Sequence, residues 1–589
     1  MSTTLINGNG WDLNIIDAKT LLPSQSELAA LAGEYFPEFA SSDAVASAQN
    51  YSNDASLANA NGYFQSVIDD LLSDLNQVSL LPKEHSGYSF LSEAQSEANN
   101  LGIQEIANID ASQIVFPESY NGDDAKARSY ANSATTPYAN AGQVITPKSP
   151  ESYLNGFNAT NIETLSLGHG TTRLFDVAAI RKDFPILSEK INGKDLIWLD
   201  NAATTQRPKS VIDRITYFYE HENSNIHRAA HGLAARATDA YEAARDKVAK
   251  FINAPSAEDI VFVRGTTEAI NLIANSWGKQ NIQAGDEIII SWLEHHANIV
   301  PWQLLIQETG AKLKVIPIDD SGQIILGEFE RLITPRTKIV SVAQVSNSLG
   351  TVTPIAEIIE IAHRHGVRVV VDGAQGVSHL KVDVQALDAD FYVFSGHKVF
   401  GPTGIGALYA KKEILENEMR PYQGGGNMIA DVTFERTIFQ PPPNKFEAGT
   451  GNIADAVGLG AALDYVNSLG IENIYNYEHY LLEYGTELLL SIPGLRLIGT
   501  AKNKTSVLSF VLDGYDTKDI GAALAAEGIA VRAGHHCAQP ALRRFGVETT
   551  VRPSVALYNT PDELDFLASI IKDIKKRSNS GYTPIFGQL

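Results

Sequence analysis

Five continuously apolar runs, DIVFV (259–263), EIIIS (287–291), TKIVSVAQV (337–345), VRVVV (367–371) and FYVFS (391–395), are separated by helix-length segments. No other feature limits the fold as much. A strand without polar alternation has no face for water, and strands divided by helices bury both faces by forming a parallel sheet with helices on each side. Residues 173–464 are expected to form a large α/β domain whose working residues cluster at strand ends and in the loops that follow. One intervening helix is predicted with Thr353 as its N-cap, Pro354 at its first position and Gly366 as its stop. Beyond 465, shorter elements such as TSVLSFVLDG and TKDIGAALAAEG predict a smaller α+β domain over 465–589.

Residues 1–172 have a different character. They hold 20 acidic against 5 basic residues, a net of −15 out of −23 for the whole chain, in Asn/Ser/Ala-rich text such as SSDAVASAQNYSNDASLANANG. Such sequence buries too little apolar area to offset its ordering entropy, so a largely disordered arm is expected, with short amphipathic pieces at 24–36, 64–78 and 111–120. The arm reads either as a degenerate linker or as a set of motifs that fold on a partner. The overall acidity excludes nucleic acid as a partner. With no basic-apolar leader and no run of 18 apolar residues, no secretion signal or membrane span is expected, and the chain reads as soluble and cytoplasmic. Cys537 is the only cysteine, which excludes an internal disulfide and a multi-cysteine metal site, and no metal is expected.

Five segments carry candidate chemistry. In FSGHKVFGPTGIG (394–406), Lys398 follows an apolar strand beside Ser395 and His397, where a desolvated amine can attack a carbonyl. In VVVDGAQG (369–376), Asp372 ends a doubly buried strand, which is costly for a carboxylate unless it meets a cation such as a protonated pyridine. In VRGTTEAINLIANSW (263–277), Thr266 and Thr267 open a helix and present hydroxyls and free amides suited to a phosphate. In ISWLEHHANIVPW (290–302), His295 and His296 follow another strand, where an imidazole can stack on an aromatic cofactor and move protons. In VRAGHHCAQP (531–540), Cys537 lies in a loop with Arg532, His535 and His536, whose positive charge favours the thiolate. Taken singly, each segment also has an ordinary reading: a solvated lysine, a helix cap, a turn, a buried thiol.

Together, RGTTEAIN, EHHANIVPW, VDGAQ, FSGHK, FEAGTGN and RAGHHCAQP, in this order over roughly 173–580, closely resemble the SufS-like (group II) cysteine desulfurases of the aminotransferase class-V family. That resemblance implies fold type I of the pyridoxal 5'-phosphate enzymes and a homodimer with its site at the interface. It implies that Lys398 bonds covalently to the cofactor, that Asp372 pairs with the ring nitrogen, that Gln375 meets the ring hydroxyl and that His295 stacks on the ring. Thr267, Ser395 and His397 would hold the phosphate, with Thr266 beside them and Thr450 from the other subunit. Asn347, Arg532 and Arg552 would hold the substrate carboxylate, and His227 would line the pocket. Cys537 would take the sulfur of L-cysteine as a persulfide and pass it to a dedicated SufE- or SufU-like acceptor protein. Gln423 departs from the acidic residue many relatives carry, which puts an interface role for that position in doubt. Selenocysteine lyase activity, or another class-V lyase or transaminase, remains open on the same motifs. The acidic arm is similar in composition and length to the cargo-loading extension of desulfurases packaged in family 2 encapsulin shells. A tether to the acceptor and a solubilising tail are the alternatives.

Overall fold

The computed structural model describes residues 175–226 and 231–579, together with a short strand pair at 166–167 and 171–172, all within one compact unit that runs 142–589. The pieces predicted at 24–36, 64–78 and 111–120 lie outside the described residues, as does His227. Among the described residues no helix is long and apolar enough to cross a membrane.

The central sheet has seven strands: β1 (Ile260–Val263), β2 (Glu287–Ser291), β3 (Lys312–Ile316), β4 (Thr337–Ala343), β5 (Arg368–Asp372), β6 (Phe391–Ser395) and β7 (Gly406–Ala410). Their order is β1-β7-β6-β5-β4-β2-β3, parallel from β6 to β3, with β7 antiparallel to both of its neighbours. The expected α/β fold with a mainly parallel sheet is present, and the apolar runs supply five of its strands. Successive residues alternate between two cores. Ile289, Val340, Val342, Val369, Val371 and Phe394 pack into one, and Ile288, Ile290, Ile339, Val370, Phe391 and Val393 into the other. This is why no polar alternation appears in those runs.

The two strands without such runs have local reasons. β3 is an edge strand, and its Lys312 and Lys314 keep one side in contact with solvent, so only part of it is apolar. β7 follows the glycine-rich turn after Lys398. A Cβ on Gly406 would lie 2.4 Å from the Phe394 carbonyl oxygen and 2.7 Å from Gly265 Cα, so close approach requires glycine there and weakens the strand signal.

Helices α1 (Gly232–Phe251), α3 (Ile355–Arg364) and α4 (Ile453–Leu469) contribute apolar faces to one core, and α2 (Thr266–Ile273) to the other. The predicted cap of α3 is displaced by one residue. Pro354 occupies the N-cap, and the Thr353 hydroxyl turns back to the carbonyls of Ala343 and Gln344, 2.8 and 3.2 Å away, so it serves the sheet end instead of the helix.

Toward the C-terminus, β8 (Leu495–Leu497), β9 (Phe510–Leu512), β10 (Arg532–Gly534) and β11 (Thr550–Arg552) form an antiparallel sheet in the order β8-β9-β11-β10. Three helices pack on it through a core of their own: α5 (Ile471–Leu490), α6 (Thr517–Ala526) and α7 (Pro561–Asn579). The segment Ile197–Trp198 pairs in parallel with Ile529–Ala530, which draws Asp200 and Ala202 alongside this sheet.

At the opposite end of the central strands, buried Asp390 is 2.7 Å from His363 Nε2 and accepts from Arg368 at 3.0 Å and from the Val369 amide at 2.8 Å. The hydrogen bond to Asp390 raises the His363 pKa above 6.5, outweighing the opposing effect of burial. A raised folded-state pKa stabilises the fold fully below the unfolded value and loses that contribution as pH rises through the folded value. His363→Gln is therefore expected to lower the melting temperature below pH 6.5 by about 2 °C for about 1 kcal/mol, with the difference shrinking at alkaline pH. Thermal melts of both proteins across pH 5 to 9 (a range of roughly two units either side of neutral) check this.

Candidate active site

The C-terminal ends of β2, β4, β5 and β6 converge with the start of α2 and the β10–β11 edge around a cavity of about 620 Å³. Thr266, Thr267, His295, Asn347, Asp372, Gln375, Ser395, His397, Lys398, Arg532, Cys537 and Arg552 all line it, so a single space gathers twelve residues spread over nearly 290 positions of sequence. Thr450 is not among them. It lies in a neighbouring depression with Arg264, Tyr422 and Gln423, and its hydroxyl is 3.5 Å from Asn225 Oδ1.

Lys398 sits in a 3-10 turn directly after β6. Enclosure by the cavity walls lowers its amine to about 8; Asp372 opposes that shift, and Arg552 and Arg532 reinforce it. Asp372 is the last residue of β5. Burial pushes its carboxyl above the usual range, and the Ala374 amide at 2.9 Å is a donor that counteracts this. At the start of α2, the Thr266 amide and hydroxyl each lie 2.9 Å from Ser395 Oγ. Gln375 donates to the Ala202 carbonyl at 2.6 Å, which fixes its amide against the 200–203 segment.

Three of the lining histidines, His295, His397 and His536, are neutral. Burial, with Lys398 next in importance, lowers His295 to about 3, and its Nδ1 accepts the Ala297 amide at 3.0 Å, so the ring proton resides on Nε2. His397 falls to about 4, again through burial and Lys398. Burial lowers His536 to about 2; its Nε2 contacts the Thr550 hydroxyl at 2.8 Å and carbonyl at 3.1 Å, leaving Nδ1 a buried acceptor without a partner among the described residues.

Two consecutive non-glycine residues, His536 and Cys537, adopt φ of 53°, in the left-handed region. That conformation costs about 1–2 kcal/mol per residue and persists where surrounding contacts over-determine it. Here the Cys537 carbonyl accepts from the His296 amide at 2.8 Å, and the Cys537 amide donates to His535 Nδ1 at 3.0 Å. Asn347 Nδ2 donates to the His536 carbonyl at 2.7 Å. The half-buried thiol is thereby held on the cavity wall.

Arg552, 2% exposed, donates to the Asn347 carbonyl and to Asp200 Oδ1, both at 2.9 Å, while its Nε has no partner among the described residues. Asn347 Oδ1 is also unpartnered among the described residues. One donor and two acceptors, counting His536 Nδ1, thus remain unsatisfied among the buried lining atoms, an arrangement expected where a polar ligand completes the bonding.

The residues present fit pyridoxal phosphate on structural grounds. A buried carboxylate with no cationic side chain bonded to it suits a protonated ring nitrogen. An amine of lowered basicity suits an aldehyde, and the α2 terminus with Thr266, Thr267, Ser395 and His397 suits a phosphate.

Three contributors went unnoticed in the sequence. Asp200 anchors Arg552 and approaches Arg532 at 3.6 Å. Glu294, fully buried, accepts from Asn298 at 2.7 Å, from the Ala343 amide at 3.2 Å and from the Ser291 hydroxyl, joining the ends of β2 and β4 beneath His295. Burial raises it to about 8 against those donors. Lys518, at the start of α6, lines the cavity. Asp200 and Glu294 lie within the runs LDNAATT and EHH themselves, but only the fold shows which partners they serve.

A model of the family described as Aminotransferase class-V matches residues 197–567. The chain is 66% identical over 420 residues to a protein named cysteine desulfurase in Synechococcus elongatus, covering 71% of this chain and 67% of that one. It is 66% identical over 409 residues to a probable cysteine desulfurase of Mycolicibacterium paratuberculosis, covering 69% of this chain and only 60% of that one. With the cysteine desulfurase of Dickeya dadantii the identity is 52%, over 67% of this chain and 96% of that one. The crystal structure of the Escherichia coli cysteine desulfurase CsdA aligns at a TM-score of 0.64 and 41% identity, covering 69% of this chain and 99% of that one. With the fold, the cavity and these matches in agreement, the chain belongs to the class-V aminotransferase family and, within it, to the family of the cysteine desulfurases.

Proposed function

We propose that this protein converts L-cysteine to L-alanine with pyridoxal phosphate and carries the released sulfur on Cys537 as a persulfide. The observation that carries this reading is the meeting of Lys398, Asp372 and Cys537 on one cavity beside the unsatisfied Arg552 Nε. The bound cofactor would supply an electron sink for charge developing at the substrate Cα. Lys398 would hold it covalently, Asp372 would face its ring nitrogen, Gln375 its ring hydroxyl and His295 its ring face. Thr266, Thr267, Ser395 and His397 would hold its phosphate, with Thr450 contributed by a second copy in a homodimer.

The chain's own groups then account for the steps. Arg552 Nε donates to the substrate carboxylate, with Arg532 and Asn347 alongside. Lys398, with an amine near 8, moves the proton at Cα in water of neutral pH. Neutral His295 offers its Nε2 proton without adding a charge. The Cys537 thiolate attacks the substrate sulfur. The Cβ–S bond breaks, its electron pair stays on carbon, and a proton taken up there completes the methyl group of alanine. Holoenzyme given L-cysteine should release alanine and add one sulfur atom to the tryptic peptide containing Cys537. Release of a keto acid with no sulfur on that peptide would favour a different class-V lyase or transaminase. Selenocysteine fits the same cavity, and relative rates on the two amino acids measure that preference.

Arg552→Lys keeps a charge but loses the planar fork, so the KM for L-cysteine is expected to rise at least about tenfold. Steady-state kinetics at saturating cofactor check this.

For residues 1–172 we favour a docking role that places the enzyme inside an encapsulin shell in the cytoplasm, over a tether to the acceptor or a solubilising tail. Support comes from the arm's net charge of −15 and from its lying beyond the part shared with enzymes the match covers almost end to end. A 173–589 protein is expected to keep full turnover and to lose encapsulation on co-expression with a shell protein. Equal packaging of both forms would remove the role.

A further inference from the structure

The rim of the cavity carries a cation that the steps above leave without a task. Lys518 lines the same cavity as Cys537, with Arg532, His535 and Thr549 beside it, and it is exposed. It occupies the first turn of α6, where its amide donates to the N-cap Asp516 at 2.7 Å. The first turn is the positive end of the helix dipole, an unfavourable place for a cation. Arg532 has Asp200 within 3.6 Å, whereas Lys518 forms no ion pair among the described residues. The Thr517 hydroxyl meets that of Thr549 at 2.8 Å, which fastens this helix start to another segment of the cavity lining. A positive group with no ion-pair partner among the described residues, against the local dipole and at the mouth of an otherwise acidic protein, fits an anion that arrives from solvent.

We propose that Lys518 selects the sulfur acceptor: it engages acceptor thiols that bear negative charge as they reach the Cys537 persulfide. This rests on the desulfurase reading and extends it to the second half of the cycle. The acceptor enters as a thiolate and attacks the outer sulfur of the Cys537 persulfide. The S–S bond breaks, Cys537 leaves as a thiolate and the acceptor departs as a persulfide, so no external oxidant or reductant takes part. A thiolate carries charge at the moment of attack, and an anionic body adds more, so a rim cation increases the encounter rate for anionic thiols above that for neutral ones.

The test compares two thiols of similar size, 2-mercaptoethanol and 2-mercaptoethanesulfonate, as acceptors from the preformed persulfide of the full-length holoenzyme, followed by mass spectrometry of Cys537. For Lys518→Met, transfer to the sulfonate is expected to slow about three- to fivefold relative to the neutral thiol. Its salt dependence between roughly 0.05 and 0.5 M should flatten as well. Lys518→Arg should restore both. Alanine formation before persulfide discharge should be unchanged in either variant. Equal slowing with both thiols would mark a structural role and overturn the proposal, and so would equal rates for the variant and the wild type. A wild-type enzyme that forms no persulfide would bring down the desulfurase reading itself, an outcome distinct from either.

Discussion

Lys398→Ala is expected to abolish the absorbance of lysine-bound cofactor and to lower alanine formation by at least about a thousandfold, the scale for losing a covalent anchor that also moves the reacting proton. Burial and the two arginines hold this amine near 8 when an ordinary lysine titrates at 10.5, so an appreciable fraction is uncharged at neutral pH and able to bond an aldehyde. Capture of pyridoxal phosphate by the apoenzyme should therefore accelerate as pH rises toward 8 and level off above it. Lys398→Arg should fail as completely as alanine, because a guanidinium does not deprotonate in this range. Stopped-flow absorbance of cofactor uptake, with alanine quantified by chromatography, reads both effects. Normal colour and turnover in the alanine variant would remove Lys398 from the reaction.

Cys537→Ser separates binding from sulfur transfer. A serine hydroxyl is far less ionised and far less nucleophilic toward sulfur than a thiolate, so alanine formation should fall by about a thousandfold or more. The fold should be unaffected, because the side chain is half-buried and the strained backbone at His536 and Cys537 is held by bonds from His296, His535 and Asn347 that serine leaves in place. The melting temperature should stay within about 2 °C of the parent. Cofactor absorbance should persist and still change when L-cysteine is added, since Arg552, Asn347 and Lys398 remain. Undiminished alanine production in this variant would sink the role of Cys537 and with it the desulfurase assignment.

Much of this protein is legible in its text. Val369 to Val371 and their counterparts announce buried strands because both faces of a parallel sheet are covered. Asp372, Lys398 and His295 stand where such strands end, and loops at strand ends carry function in this kind of fold. Legibility failed where a signal depended on a distant partner. β3 is masked by its edge lysines and β7 by glycines demanded by its neighbours. The Thr353 hydroxyl serves the end of β4 instead of the following helix. Asp200 matters because residue 552 is an arginine, and Glu294 because Ala343 and Asn298 lie beside it.

The sequence by itself determined which five runs become buried strands and marked most of the polar groups that line the cavity, because both follow from local composition and spacing. The tertiary structure alone decided the chemical state of those groups. It made His295 and His536 neutral and brought Lys398 down to about 8, and among the described residues it left Arg552 Nε and Asn347 Oδ1 without partners and set Lys518 at the mouth with no ion pair. Desolvation and hydrogen bonding are set by whatever lies within a few ångströms in space, and here those neighbours come from segments hundreds of residues apart.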